Sequence, residues 1–253
     1  MSEPQAHRPP LSVVVPAFNE QGNVGRLVDE VAEALRGRTA FEMVFVDDAS
    51  KDGTLDELKQ AQQRHPELRV LSHAQQSGQS TAIRNGIKAA RGEWIATLDG
   101  DGQNDPADIR LLLATRTISD AETKCFAGWR TTRRDNAGKR ISSRVANAVR
   151  ARLLHDATPD TGCGLKLFER EAFLDLPYFD HMHRYLPALF QRAGWKTVSV
   201  PVNHRERGAG TSKYTNFGRL LVAFADLRGV IWLIRRSKRT AVREFPAAES
   251  KRA

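Results

Sequence analysis

The chain has 253 residues, of which 39 are lysine or arginine and 30 are aspartate or glutamate, for a formal net charge of +9. This length is enough to bury one large α/β core, and two cysteines are too few for a disulfide scaffold. The basic surplus predicts a partner that carries negative charge.

The N-terminal part predicts a leader, a strand and a helix. Residues 1–10 contain three prolines and no apolar run, so we expect a disordered leader. Residues 11–15 (Leu-Ser-Val-Val-Val) predict a strand buried on both faces, which ends at the stretch 16–20. Apolar residues from Val24 to Leu35 then recur at helical spacing.

The same unit repeats three more times. Residues 41–46 predict a strand that runs into two aspartates, and residues 54–57 (Thr-Leu-Asp-Glu) predict a capping box for the next helix. A strand over 68–72 precedes a helix over 80–90. A strand over 94–98 ends at Asp-Gly-Asp-Gly-Gln (99–103), with Asp105 as the N-cap and Pro106 as the first residue of a helix through Leu113.

Four alternations of strand and helix predict a mostly parallel sheet with helices on both faces. In such sheets ligands bind at the carboxyl ends of the strands, and the acidic loops all fall there. Asp99 and Asp101 lie two residues apart, so both can face one divalent cation, and Gln103 continues the row. Taken alone, the stretch also fits a solvated turn rich in glycine and aspartate.

Two cysteines, Cys125 and Cys163, fall in stretches that also predict strands. No signal-peptide pattern is evident, so we expect both to be reduced, buried thiols of a cytosolic protein.

Five motifs in this order resemble those of family 2 glycosyltransferases with a GT-A fold: Pro-Ala-Phe-Asn-Glu (16–20), Asp-Asp-Ala-Ser (47–50), Arg-Asn-Gly (84–86), Asp-Gly-Asp-Gly-Gln (99–103) and Arg-Gly-Ala-Gly-Thr-Ser-Lys-Tyr (207–214). The resemblance covers about residues 11–214, which we expect to form the GT-A domain. Residues 160–168 resemble the dolichol-phosphate or polyprenyl-phosphate mannosyltransferase branch. That branch implies an inverting, metal-dependent transfer of a hexose, mannose by analogy, from a GDP- or UDP-sugar to a polyprenyl phosphate.

The resemblance assigns roles to individual residues. It implies that Mg²⁺ or Mn²⁺ is held by Asp99, Asp101 and Gln103. It implies that the nucleotide-sugar contacts Pro16, Ala17, Asn19, Glu20, Asp47, Asp48, Asn85, Gly100 and Asp101.

The acceptor is predicted from the charge pattern together with the resemblance. Basic residues crowd between 130 and 152, and phosphate is the group that such a cluster fits. A phosphate monoester has a second pKa of about 6, so it can attack without a general base but needs cations to hold it. The residues expected to hold it are Arg130, Arg140, Arg144, Arg207, Ser212 and Lys213, of which Arg130, Arg144, Arg207 and Lys213 join Asp99 and Asp101 as the expected catalytic set.

Several alternatives stay open at this point. Asp160 would serve as the base if the acceptor were a hydroxyl of a glycan or glycolipid, and a non-catalytic nucleotide-sugar-binding membrane protein is a third possibility. Part of the basic cluster, Arg150 and Arg152 especially, also fits a solvated helix with surplus charge. Nucleic acid is not expected as a partner, because only Trp129 lies near the basic residues and no recognition module is present.

The C-terminal part predicts a membrane-surface segment. Residues 217–234 are largely apolar but are interrupted by Arg219, Asp226 and Arg228, and four of the next five residues are basic. The run is too polar and short for a transmembrane helix, so we expect amphipathic helices over 215–239 on an anionic membrane surface, followed by a disordered tail over 240–253. This places a peripheral enzyme on the cytoplasmic side of the membrane. Packing of the same segment against the catalytic domain is the alternative.

Overall fold

The computed structural model describes residues 9–131, 150–154, 156, 158–205, 216–238, 240 and 243, with backbone only for 216–221. Five of the predicted acceptor residues therefore lie outside the described residues: Arg140, Arg144, Arg207, Ser212 and Lys213. The predicted leader and tail also fall almost entirely outside them.

A seven-stranded sheet forms the centre of the molecule. Its spatial order is β3-β2-β1-β4-β6-β5-β7, and β6 runs antiparallel to both of its neighbours while the other pairs are parallel. The strands are β1 Leu11–Ala17, β2 Phe41–Asp47, β3 Leu68–Ser72, β4 Trp94–Thr97, β5 Thr123–Arg130, β6 Lys166–Glu169 and β7 Lys196–Val202. The mostly parallel sheet predicted from the sequence is confirmed.

Helices cover both faces of the sheet. They are α1 Val24–Leu35, α2 Thr54–Arg64, α3 Gln79–Ala89, α4 Ile109–Thr117, α5 Arg170–Leu174, α6 Leu186–Ala193 and α7 Asn216–Arg235. Residues 150–154 are also helical, and 3₁₀ turns span Pro106–Asp108 and Met182–Arg184.

Two hydrophobic cores lie on opposite faces of the sheet, because neighbouring strand residues point in opposite directions. Val13 and Val15 of β1 pack with α1, α2 and α4, whereas Val14 packs with α3, α5, α6 and α7. A Cβ at Gly86 would lie 2.6 Å from Val14 Cγ1, so glycine at this position allows α3 to approach the sheet closely. This confirms the prediction that β1 is buried on both faces.

Two local predictions are wrong. The capping box at 54–57 does not form, because Thr54 is already the first residue of α2 and Glu57 accepts hydrogen bonds from the N–H groups of Gly22 (2.6 Å) and Gly25 (2.8 Å). Cys163 lies in the loop before β6 rather than in a strand. It is nevertheless buried and free, as is Cys125, which does lie in β5. The predicted cap by Asp105 is confirmed, since its side chain accepts from Ala107 N at 3.0 Å.

The C-terminal helix α7 is apolar on two sides. Its inner residues Leu227, Val230 and Ile231 pack on the core beside α6, and Arg192 Nε donates to Leu233 O at 3.0 Å. Its outer side exposes Phe224 by 64% and Trp232 by 58%. Apolar residues of α7 therefore both dock on the domain, as the alternative reading of this segment expected, and face outward, and contact of the outer side with a membrane stays a prediction. Among the described residues, no helix is both long and apolar enough to cross a bilayer.

Candidate donor and metal site

The predicted acidic loops meet at one edge of the sheet. Strands β1, β2 and β4 are parallel neighbours, so their carboxyl ends lie side by side. A Cβ at Gly100 would lie 2.9 Å from Pro16 O, which shows how closely the loop after β4 packs against the loop after β1. The structure thus brings the 16–20, 47–54 and 99–103 segments together.

Asp99 and Asp101 form the acidic centre of this edge. Asp99 N donates to Asn104 Oδ1 (3.1 Å), and Asp99 Oδ1 accepts from Gln79 Nε2 (2.9 Å). Asp101 is buried, and its Oδ1 accepts from Gln103 N at 3.1 Å. Burial, and then the nearby charge of Asp101, raise the pKa of Asp99 to about 6.

This pair of carboxylates fits a divalent cation. A cation between them would offset the repulsion and desolvation that raise the pKa of Asp99. Among the described residues, no group of three or more histidines, cysteines, aspartates or glutamates is arranged for a metal. Two carboxylates are what a Mg²⁺-type ion needs when phosphate oxygens and water complete its coordination. The predicted role of the Gln103 side chain stays a prediction.

The 16–20 loop is bound to the 47–54 loop through two residues predicted to contact the donor, Asn19 by its side chain and Glu20 by its backbone N–H. Asn19 has a left-handed backbone (φ 53°) and its Oδ1 accepts from Lys51 N at 2.7 Å. Glu20 N donates to Thr54 Oγ1 at 2.8 Å. Asn19 and Glu20 therefore shape this edge, and their direct contact with a nucleotide stays a prediction, as do those of Pro16 and Ala17.

The two aspartates at the end of β2 hold different partners. Asp47 is buried and accepts from Ser72 Oγ at 3.3 Å. Asp48 accepts from His73 Nδ1 (2.7 Å) and from the N–H groups of Ser77 and Gly78 (2.8 Å each). With both Asp48 oxygens occupied, its clearest role is to hold the 73–78 loop.

Asn85 belongs to the same network as Asp48. His73 Nδ1 donates to Asp48, and Asn85 Nδ2 lies 3.0 Å from the other ring nitrogen, His73 Nε2. Asn85 thus supports the 73–78 loop, which leads into Gln79 and the acidic centre.

Arg130, predicted to hold the acceptor phosphate, is paired with Asp160. Its Nε and Nη2 donate to the two carboxylate oxygens at 2.7 and 2.9 Å, and both side chains are largely buried. The acidic partner offsets the guanidinium charge, and the guanidinium occupies the carboxylate that would otherwise act as a base. Contact of Arg130 with an acceptor stays a prediction.

The 160–166 loop closes the site from the side of β6. Thr97 Oγ1 donates to Gly164 O at 2.8 Å, and buried Lys166 donates from Nζ to the carbonyls of Thr161 (3.3 Å) and Cys163. A Cβ at Gly164 would lie 2.6 Å from Asp99 Oδ1. Gln79, Gly164 and Lys166 were not singled out as site residues from the sequence, although the glycines of Thr-Gly-Cys-Gly (161–164) gave a signal of close packing.

The two arginines expected to be solvated differ from each other. Arg152 is exposed, as expected. Arg150 is buried and donates to Asp156 Oδ2 at 2.7 Å and to Thr158 O at 2.8 Å, so that part of the expectation is wrong. Burial raises the pKa of Asp156 in spite of its cationic partner.

A mixed sheet of this order, with an Asp-Gly-Asp loop after the fourth strand, defines an α/β protein of the GT-A class. Residues 12–176 match the family described as glycosyl transferase family 2. The chain belongs to that family.

Curated relatives cover most of this chain. It is 35% identical over 236 residues to a dodecaprenyl-phosphate galacturonate synthase of Rhizobium johnstonii, covering 89% of this chain and 67% of the relative. It is 30% identical over 207 residues to an undecaprenyl-phosphate 4-deoxy-4-formamido-L-arabinose transferase of Edwardsiella ictaluri, covering 81% of this chain and 62% of the relative. The chain thus spans about two thirds of the length of these relatives.

Solved structures share the fold. Glucosyl-3-phosphoglycerate synthase from Mycobacterium tuberculosis, in complex with Mg²⁺ and uridine diphosphate, matches with a TM-score of 0.65 at 19% identity, covering 89% of this chain and 78% of that one. A mannosyltransferase from Pyrobaculum calidifontis, in complex with GDP-Man and Mn²⁺, matches with a TM-score of 0.62 at 21% identity, covering 94% and 67%. At these identities the likeness concerns the fold.

Proposed function

We propose that the protein is an inverting, metal-dependent glycosyltransferase that moves a hexose from a nucleotide-sugar to a polyprenyl phosphate. The observation that carries this proposal is the meeting of Asp99 and Asp101 with the 16–20 and 47–54 loops at the carboxyl edge of the sheet. The relatives named as polyprenyl-phosphate sugar transferases support the acceptor class. Those two names specify galacturonate and a formamido-arabinose, so mannose and the GDP or UDP base stay predictions.

The chemistry follows from the charges at this edge. Asp99 and Asp101 would hold Mg²⁺ or Mn²⁺, which supplies Lewis-acid stabilisation of the departing nucleoside diphosphate. Gln79 and Asn104 orient Asp99, and the Gln103 N–H orients Asp101. The acceptor oxygen would attack the anomeric carbon from the side opposite the leaving group, which inverts its configuration.

The Arg130–Asp160 pair favours a phosphate acceptor over a hydroxyl. A hydroxyl needs a base to take its proton, and both carboxylate oxygens of Asp160 are engaged by Arg130. A phosphate monoester, with its second pKa of about 6, is already ionised at neutral pH. Transfer to a glycan hydroxyl is therefore the second candidate.

We also propose that α7 attaches the enzyme peripherally to the cytoplasmic side of an anionic membrane. The outer side of α7 exposes Phe224 and Trp232, and exposed cations lie beside and after them at Arg228, Arg235, Arg236 and Lys238. The acidic residue of this helix, Asp226, lies 3.1 Å from His181 Nδ1 on the inner side. Aromatic and basic residues on one helix face are typical of interfacial binding.

The acceptor class can be tested without altering the protein. Purified protein is incubated with Mn²⁺, a panel of labelled GDP- and UDP-sugars, and either a polyprenyl phosphate or the polyprenol of the same chain length. We expect label in the lipid extract only with the phosphate, and the opposite preference would favour the hydroxyl reaction. Absence of lipid labelling with every donor would overturn the proposed function.

The metal site is tested by Asp101→Asn with Asp56→Asn as the matched control. Asp56 is also an aspartate that follows a strand of the sheet, in this case β2, but its side chain is 81% exposed and lies in the first turn of α2. We expect Asp101→Asn to lose at least about 100-fold in rate, because a metal contributes several kcal/mol of charge stabilisation. The control should keep the wild-type rate, and full activity of either the Asp101 variant or the EDTA-treated enzyme would contradict metal dependence.

Membrane attachment is tested by vesicle sedimentation of the variant Phe224→Ser/Trp232→Ser. Each aromatic side chain can transfer about 100 Å² to the interface, or about 2.5 kcal/mol at most, so the double variant should bind anionic vesicles at least about tenfold more weakly. Ile118→Ser is the control, since Ile118 is 86% exposed but lies at the end of α4. Equal losses in both proteins, or no binding of the wild type, would argue against attachment through α7.

A further inference from the structure

A chain of four alternating charges runs along the outside of the 99–105 loop, which we call the metal loop. Arg205 Nη1 donates to Glu30 Oε2 of α1 at 2.7 Å, and Arg205 Nη2 lies 2.7 Å from Asp105 Oδ1. Arg26 Nε lies 3.6 Å from Glu30 Oε1, and a Cβ at Gly102 would lie 3.3 Å from Arg26 Nη2. Arg205 is the member that is ion-paired with both α1, through Glu30, and the metal loop, through Asp105.

The backbone around Arg205 is also hydrogen-bonded to the metal loop. Arg205 N donates to Gln103 O at 2.9 Å, and Asn104 forms an isolated antiparallel bridge with His204. Just before them, Asn203 donates from its N–H (2.6 Å) and from Nδ2 (3.1 Å) to the buried carboxylate of Asp108. Residues 204 and 205 are therefore joined to the metal loop by one β-bridge and one backbone hydrogen bond, and Asn203 is bound to the turn that follows the loop.

We propose that Arg205 is a positioning residue that fixes the metal loop in the conformation in which Asp101 can hold a cation. Gln103 connects Arg205 to the metal site: its N–H donates to Asp101 Oδ1, and its carbonyl accepts from Arg205 N. The Arg205 guanidinium also binds Asp105, two residues further along the loop. Loss of the guanidinium removes the ion-paired bridge between this loop and α1 and leaves the Arg26 side chain beside Gly102. A freer loop holds Asp101 in place for a smaller fraction of the time.

An isolated exposed ion pair would not support such a role, because most contribute about 0–1 kcal/mol. Arg205 differs in that one planar guanidinium bridges two carboxylates on separate elements, Glu30 and Asp105, and its own backbone is hydrogen-bonded to the loop. A charged group that binds two partners in one network has a larger interaction energy with them than isolated ion pairs have. Lysine has a single ammonium and cannot reproduce the fork, so it should rescue only part of the effect.

This inference rests on the proposed function for its kinetic consequence, but its structural part can be tested alone. Amide hydrogen exchange is measured on full-length, metal-free wild type, Arg205→Ala, Arg205→Lys and the control Arg36→Ala. Arg36 also forms an ion pair, with Glu67 at 2.9 Å and 47% side-chain exposure, but at the C-terminal end of α1. We expect the Gln103 amide to exchange about fivefold to tenfold faster in Arg205→Ala, by an intermediate factor in Arg205→Lys, and at the wild-type rate in Arg36→Ala.

The same four proteins are then titrated with Mn²⁺ in the transfer assay. We expect the half-saturating Mn²⁺ concentration to rise several-fold in Arg205→Ala, with a smaller change in kcat at saturating metal. Unchanged Gln103 exchange in Arg205→Ala, or equal acceleration in Arg36→Ala, would overturn the positioning role whatever the activity. If no donor supports transfer, the exchange result still decides the role of Arg205, so the two proposals fail separately.

Discussion

Gly164→Ala tests how tightly the 160–166 loop holds the acidic centre. A Cβ at this position would lie 2.6 Å from Asp99 Oδ1 and nearer still to Oδ2, whereas ordinary contact begins at 3.4 Å. The added methyl group therefore cannot be accommodated unless the Asp99 carboxylate or the loop moves. Thr97 and Lys166 hold the loop by hydrogen bonds to its carbonyl groups. We therefore expect the Asp99 carboxylate, and not the loop, to move.

The size of the effect follows from that displacement. Moving Asp99 by about 1 Å should lower kcat/KM about 100-fold, and the overpacking should cost about 1–3 kcal/mol of stability. Initial rates of lipid labelling at several Mn²⁺ concentrations measure the first quantity, and urea unfolding measures the second.

Gly162→Ala is the matched control in the same loop. A Cβ at Gly162 would meet its nearest neighbour, Arg130 Nη2, at 3.2 Å, and the end of that side chain can give way by a few tenths of an ångström. We expect this variant to stay within about threefold of the wild-type rate, since a shift that small falls well below a 1 Å misplacement. A wild-type rate for Gly164→Ala, or equal losses in both variants, would refute the proposed contact between this loop and Asp99.

Two further predictions concern stability. Arg150→Ala leaves the buried carboxylate of Asp156 unpaired, so it should lower the free energy of unfolding in urea by about 3–5 kcal/mol. The control Arg152→Ala, at an exposed position, should change this free energy by less than about 0.5 kcal/mol. Similar values for the two variants would contradict the buried ion pair. Gly86→Ala should lower the free energy of unfolding by about 1–3 kcal/mol in spite of the better helix propensity of alanine, because the new Cβ would overlap Val14. Gly229→Ala, which has open space around it, should be neutral or stabilising by up to about 1 kcal/mol. A neutral Gly86→Ala would show that α3 can move outward.

The first half of the fold could be predicted because its strands carry a local signal. Residues 11–17 and 41–47 are largely apolar, and a strand buried on both faces in a parallel sheet has that pattern. The strand order β3-β2-β1-β4 was not predicted, but the convergence of the carboxyl ends follows from parallel pairing alone. That is why the positions of Asp47, Asp99 and Asp101 could be predicted to meet.

The second half could not be predicted in the same way, because its structure depends on contacts between distant residues. Strand β6 has only four residues and inserts between β4 and β5, far from both in sequence. Arg130 and Asp160 are 30 positions apart in the sequence, and no periodic pattern of residues predicts that they pair. The capping box does not form for a related reason, since Glu57 binds N–H groups at the N-terminal end of α1, more than 30 residues away, and not those of its own helix.

The raised pKa of Asp99 gives the metal-free protein a specific pH dependence. The pKa rises from 3.8 in the unfolded chain to about 6 in the folded protein, so between these values the folded carboxyl keeps a proton that the unfolded one has lost. The folded state then binds more protons, and its stability falls as pH rises from about 4 to about 6, by at most about 3 kcal/mol.

Other carboxyls titrate over the same range, with shifts in both directions, so the comparison that isolates Asp99 is between the wild type and Asp99→Asn. In EDTA, urea unfolding at pH 4.5 and 7 should show the wild type losing about 1–2 kcal/mol more than Asp99→Asn over this interval, because the amide does not titrate. Mn²⁺ together with a nucleoside diphosphate requires the ionised carboxylate, so their addition at pH 7 should restore the stability of the wild type but much less that of the variant. Parallel responses of the two proteins to pH would mean that Asp99 is already ionised near pH 4 and that the carboxylates are too far apart or too well solvated to oppose each other.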